Sequence, residues 1–211
     1  MEKKEFLKKP VDLKVKPESG SLAKPARISN TVFGLVKLAL GLSLLPFVYS
    51  LSTAFLEQIA NIEFSLQQSF WAGVVTFVLV YLFIWEPVAV YNKGHRLMEI
   101  IFSFFQPLLK VAPYLLPIYT ILLFVLYLFL SLFIKYKWFI DGMMFLFGLS
   151  IALHLIFSAK SIRAKKGDLL KSNYIFGFSF IYIINIGLLA LLLNFIFKGF
   201  SFVDFCNSSY L

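Results

Sequence analysis

The chain has 211 residues, of which 60% are hydrophobic, 18% aromatic and only 15% charged, with a formal net charge of +9 and a mean hydropathy of +0.83. Soluble domains average about 45–50% apolar and about 25% charged residues, so a water-soluble fold is excluded: a chain this short cannot hide so much apolar surface without lipid. Nucleic acid is excluded as the partner for the positive charge, because Lys and Arg sit in the tail and in short loops and form no basic face with interleaved aromatics.

Residues 1–30 carry eight Lys and Arg among scattered acids, with Pro10, Pro17 and Pro25. This composition reads as a disordered basic tail whose bases can lean on anionic lipid headgroups. It contains no short apolar run ending in a small-residue cleavage site, so the first apolar segment is expected to remain as an anchor. A hydrocarbon core of about 30 Å needs roughly 20 apolar residues as helix. Four runs reach that length: Val32 to Phe55 (through Lys37 and Pro46), Phe70 to Val90, Tyr114 to Ile134 and Tyr174 to Phe197. A fifth, Phe139 to Phe157, contains Asp141 and His154.

The apolar run Leu97 to Leu109 is too short to cross and is expected to be a re-entrant or interfacial helix that His95 opens. The expected fold is therefore all-α: a polytopic membrane protein with five transmembrane helices and one short helix. Its divisions are a tail (1–30), a transmembrane domain (31–200) and a C-terminal tail (201–211). With five spans, sixteen Lys and Arg fall on the side of the N-terminal tail and three on the other. That asymmetry predicts a cytoplasmic N-terminus and an extracytoplasmic C-terminus, as in a bacterial inner membrane.

Cys206 is alone, which rules out an internal disulfide and a structural thiolate metal site. Ionisable groups at membrane depth are costly and mark functional sites. Of the two histidines, His95 opens the short segment and His154 lies about one turn before the cytoplasmic end of its span. Glu99 follows His95 by four residues, on the same helical face. His95, Glu99 and His154 are thus candidate ligands for one divalent ion, and a mixed imidazole and carboxylate set suits zinc or iron. Asn185 and Asn194 lie inside the last span and are expected to hydrogen-bond neighbouring helices. Gly34, Gly41, Gly142 and Gly148 are candidates for close helix approach, and Asp141 for capping the start of its helix. Asn207-Ser208-Ser209 matches a glycosylation sequon.

Several segments in order resemble a known family. Trp85-Glu86-Pro87 is followed by Gly94-His95-Arg96-Leu97-Met98-Glu99, then by Ala112-Pro113-Tyr114-Leu115-Leu116-Pro117-Ile118-Tyr119-Thr120, and finally by Ala152-Leu153-His154. From Phe70 to about Phe197, about 60% of the chain, the sequence resembles the membrane core of the site-2-protease family of intramembrane zinc metallopeptidases, and small bacterial membrane proteins placed near it. The family motif Gly-His-Glu-x-x-His supplies two zinc ligands and a general base. The resemblance implies that His95 is the first ligand, that Glu99 stands in place of the second His, and that Arg96 occupies the base position. A guanidinium cannot accept a proton there, and Glu86, nine residues before His95, is no substitute by spacing. The family's later Asp ligand has no counterpart, since Asp141-Gly142 falls at the other end of its span.

The expectation is accordingly a non-catalytic relative that binds a membrane-protein partner or a substrate helix. The alternatives are an active metallopeptidase with a reorganised site around His95, Glu99 and His154, or a structural subunit or small transporter.

Overall fold

In hydrocarbon each backbone N–H and C=O must find its partner inside the protein, and the helix does this residue by residue. The computed structural model describes residues 23–103, 112–163 and 170–209, and among them every regular element is helical. The elements are α1 (Ala23–Ala60), α2 (Phe64–Leu79) continued by a π-helical turn (Val80–Ile84), α3 (Val88–Ile101), α4 (Ala112–Leu115), α5 (Ile118–Leu130), α6 (Lys137–Arg163), α7 (Leu170–Ile196) and α8 (Phe202–Ser209). The expected all-α polytopic architecture is what forms.

Four helices are long and apolar enough to cross a bilayer: Val32–Ala60, Phe64–Ile84, Lys137–Arg163 and Tyr174–Ile196. The expected span from Tyr114 to Ile134 is not one continuous helix. Pro117 lacks an N–H and interrupts the ladder, leaving the single turn α4 and the 13-residue α5.

The way the long helices pair explains how the chain nevertheless passes five times. Glu63, just before α2, pairs with Lys137 at the start of α6, and Glu86, just after the π turn, pairs with Lys160 near the end of α6. Starts meet starts and ends meet ends, so α2 and α6 run parallel. The chain leaving α2 must therefore be carried back before α6 can begin. Tyr114 lies beside Ser158 at one end of α6, and the ring of Tyr127 stacks on Phe139 at the other, with centroids 6.0 Å apart. The broken segment α4–α5 thus makes the return pass, antiparallel to α6. Helices α1 and α7 form the second pair, joined through the Ser52–Tyr182 hydroxyl contact of 2.8 Å.

Two glycines set the distance between α2 and α6. A Cβ on Gly73 would run into the carbonyl of Phe145, and one on Gly148 into the carbonyl of Phe70. Backbone therefore lies against backbone, and the core closes around this contact with Phe55, Phe70, Met144, Phe147, Leu189 and Leu193. Gly41 does the same for α1 and α7, where an added Cβ would lie 2.9 Å from the Phe176 amide nitrogen. Of the glycines expected to allow close approach, Gly142 does not, since nothing stands within 4 Å of its Cβ direction.

Several local expectations are corrected. The short helix does not begin at His95: α3 starts after Pro87, so the hydrophilic stretch Tyr91–Arg96 is itself helical. Proline is pre-organised for a first helical turn, and the polar residues that resemble a loop are the outer face of an amphipathic helix. Residues 104–111, with Pro107 and Lys110, lie outside the described residues, as does the tail through residue 22. Helix α1 already begins at Ala23, inside the stretch read as tail. Asp141 does not cap its helix, since it lies in the second turn of α6, one turn after Lys137. The C-terminal stretch folds as α8, with Phe205 buried, Asn194 Oδ1 accepting from the Phe202 amide at 3.0 Å and Gln58 Oε1 from the Ser201 amide at 3.1 Å.

The glycine contact predicts a graded series. Gly73→Val and Gly148→Val should each cost about 1–3 kcal/mol by overpacking, read as a lowered unfolding midpoint in detergent. Gly142→Ala should be neutral or raise the midpoint, because it gains about 1 kcal/mol of helix propensity and meets nothing. Equal effects at the three positions would contradict the packing described.

Candidate functional site

The polar residues singled out from sequence gather around the break at Pro117 and the adjoining face of α3. Interrupting a helix inside the membrane frees carbonyls that lipid cannot satisfy. Here α6 and α7 satisfy two of them with buried side chains. His154 Nε2 donates to the Tyr114 carbonyl at 3.2 Å, and Ser158 Oγ donates to the same oxygen at 3.3 Å. Asn185 Nδ2 donates to the Leu115 carbonyl at 3.0 Å. Ser158 Oγ also lies 3.3 Å from His154 Nε2; because a carbonyl can only accept, the His154–Tyr114 bond belongs to the tautomer protonated at Nε2. Below the break, Thr120 Oγ1 and Ser150 Oγ pair at 2.9 Å. All five side chains are buried.

Helix α3 is pinned beside this layer. Tyr119 of α5 donates its hydroxyl to the Val90 carbonyl. Gly94 leaves room for the Tyr119 ring, where a Cβ would come within 2.7 Å. Met98, Ala112 and Ile118 close the contact underneath. The opposite face of α3 opens into a cleft of about 600 Å³ whose walls include Tyr91, Lys93, His95, Arg96, Glu99, Tyr114 and Ser161. Within it His95 Nδ1 lies 3.4 Å from Glu99 Oε1, and the His95 ring meets Tyr114 edge-on with centroids 5.0 Å apart.

Tyr91 stands between the two histidines, its ring centroid 6.1 Å from that of His95 and 6.3 Å from that of His154. It is 7% exposed. Its hydroxyl is shielded from water and makes no hydrogen bond of regular geometry; the hydroxyls of Ser158 and Ser161 are near enough to act on it and partly offset the effect of burial. Burial pushes the phenol above the ordinary tyrosine value of 10.0, so it stays a neutral donor at physiological pH.

This geometry does not assemble the expected metal set. His95 and Glu99 are brought together, but His154 is not a third member: its Nε2 proton faces the Tyr114 carbonyl and Tyr91 intervenes. Among the described residues, no group of three His, Cys, Asp or Glu is placed to hold a metal ion. The described residues do not fit the zinc that the family resemblance implies. Arg96 lies on the cleft wall beside His95, and Glu86 is paired with Lys160 outside the cleft. Asn185 is the packing residue expected, and it bonds a helix break in place of a regular helix face.

Sequence reasoning missed Ser158 and Tyr91. Ser158 carried a signal, its spacing of four residues from His154 on one face. Tyr91 carried none, because nothing in the sequence sets it apart from an ordinary interfacial tyrosine.

The fold and this site define a polytopic α-helical membrane protein with a broken third pass and a polar cleft at one end. Compared with known proteins, the chain matches no family model, no curated sequence and no solved structure.

Because His154 and Ser158 donate to one carbonyl, their loss should be non-additive. His154→Ala and Ser158→Ala should each cost about 1 kcal/mol or less, since the other donor remains. The double variant should exceed the sum, because a buried carbonyl left unsatisfied costs about 1–3 kcal/mol. A double-mutant cycle on unfolding midpoints checks this, and strict additivity would show that the two donors do not share the acceptor.

Proposed function

We propose that the chain is a non-catalytic membrane protein that acts by binding, a distant relative of the intramembrane metallopeptidases without a working metal centre. The observation that carries this reading is the orientation of His154, whose Nε2–H is spent on the Tyr114 carbonyl. Arg96 at the base position supports it, because a zinc-bound water would have no carboxylate beside it to take its proton.

What remains accessible is the cleft on α3, and the ligand it suits is a membrane component. It opens at the end of the bundle where Leu82, Phe83, Ile84 and Trp85 are exposed, the mixture of apolar and aromatic residues found at a membrane interface. The bases Lys93, Arg96, Lys160 and Arg163 belong to the same end, which supports a cytoplasmic placement for it. The N-terminus would then be cytoplasmic and the C-terminus extracytoplasmic.

Metal content decides between binding and catalysis. Protein purified in detergent without chelators should carry substoichiometric zinc and iron by mass spectrometry, at the same level in wild type, His95→Ala and His154→Ala. One ion per chain in wild type, lost in both variants, would overturn this reading and restore the metallopeptidase one.

A further inference from the structure

Tyr91 presents an unusual arrangement for a buried tyrosine. A buried donor normally has a partner, and leaving one without costs free energy. Its hydroxyl is shielded and unpartnered, and the residue lines a cleft open enough to admit a polar group. Lys93 and Arg96, three residues apart, share the same wall, and Ser161 adds a further hydroxyl from α6. Residues three apart lie on one helix face. Among the described residues, the only carboxylate on that wall is Glu99, which faces His95 at 3.4 Å. The wall therefore offers two cations and the Ser161 hydroxyl to an incoming group, with the shielded Tyr91 hydroxyl just behind them, against one carboxylate that already has a partner. A phosphate oxygen is the acceptor that matches such a set: it takes charge-assisted bonds from Lys and Arg and an ordinary one from a phenol.

The position of the cleft selects the source of the phosphate. A second cleft on the other side of α6 is lined by Tyr81, Lys160, Arg163 and Tyr174, so tyrosines and bases ring this end of the bundle at one level. That is the composition of the headgroup zone, where basic residues meet anionic lipid. Exposed Ile100 and Ile101 at the end of α3 provide an apolar edge for the acyl chains below.

We propose that the α3 cleft is a binding site for the phosphodiester headgroup of an anionic phospholipid, held by Lys93 and Arg96 with Tyr91 donating from the inner wall. The site rests on the binding reading given above. Its failure is separable from that one: absence of lipid selectivity would remove this ligand and leave the metal result untouched.

The test uses the full chain in detergent, titrated with phosphatidylglycerol or phosphatidylcholine and read by native mass spectrometry. Wild type should retain phosphatidylglycerol in preference. Arg96→Gln and Lys93→Gln should each weaken that retention roughly tenfold, the effect of losing one charge-assisted bond. The control Lys198→Gln, at the other end of the chain's last long helix, should leave it unchanged. Tyr91→Phe separates the site from general charge attraction. It should weaken phosphatidylglycerol roughly fivefold, one net hydrogen bond, while leaving the unfolding midpoint in phosphatidylcholine equal or higher, since it deletes an unsatisfied donor.

Equal retention of both lipids, or equal weakening by Lys198→Gln, would overturn the proposal. So would an unchanged affinity in Tyr91→Phe. Binding of glycerol phosphate as tight as that of the lipid would place the source in solution and overturn the lipid assignment.

Discussion

The interruption of the helix at Pro117 is the constraint on which the rest of the interior depends. In water the carbonyls of Tyr114 and Leu115 would be solvated. Buried in the bundle, each would cost about 1–3 kcal/mol if left bare. The protein answers with His154 and Ser158 from α6 and Asn185 from α7. Three of its few buried polar side chains are therefore committed to backbone, and two neighbouring helices are fixed in rotation and height relative to the break. This explains why a histidine sits deep in an apolar helix without a metal set around it. It also explains why α3 can lie against α5 at all: the break turns the chain so that Tyr119 reaches Val90.

The ion pairs at the two ends of α2 and α6 are informative for a different reason. Both are exposed, and exposed pairs contribute little, about 0–1 kcal/mol. Lys137 does hold the Glu63 carboxyl below the usual carboxylate range by donating to it, yet solvent screens that contribution. What they mark is register. The stabilising contact lies between them, where Gly73 and Gly148 let two backbones meet and the phenylalanines interlock around them. Parallel pairing of α2 with α6 then requires the return pass through α4–α5, although α5 is too short to qualify as a span by length.

Much of the fold was legible because lipid imposes a one-dimensional signal: four of the five passes appear as uninterrupted apolar runs near the positions expected. The third pass, Tyr114 to Ile134, was legible as hydropathy but not as a break, since Leu116-Pro117 is apolar and only its missing N–H matters. The start of α3 was hidden for the opposite reason. Tyr91 to Arg96 resembles a loop until Pro87 is seen to start the helix and the polar side chains to occupy one face. At the site, the pair His95–Glu99 and the packing role of Asn185 could be read from spacing and depth. The separation of His154 could not, because which way an imidazole points depends on a carbonyl 40 residues away. Nor could the unpartnered hydroxyl of Tyr91, which is a property of the assembled interior.

Parallel packing of α2 and α6, with the broken third pass α4–α5 connecting them, is tested most directly by cysteine cross-linking. In a Cys206→Ala background, the pairs Glu63→Cys with Lys137→Cys and Glu86→Cys with Lys160→Cys should both join rapidly with a short bifunctional thiol reagent. The crossed pairs, Glu63→Cys with Lys160→Cys and Glu86→Cys with Lys137→Cys, should not. Efficient linkage of a crossed pair would mean that α2 and α6 are antiparallel, that no return pass is needed, and that the polar layer around Pro117 does not exist as described.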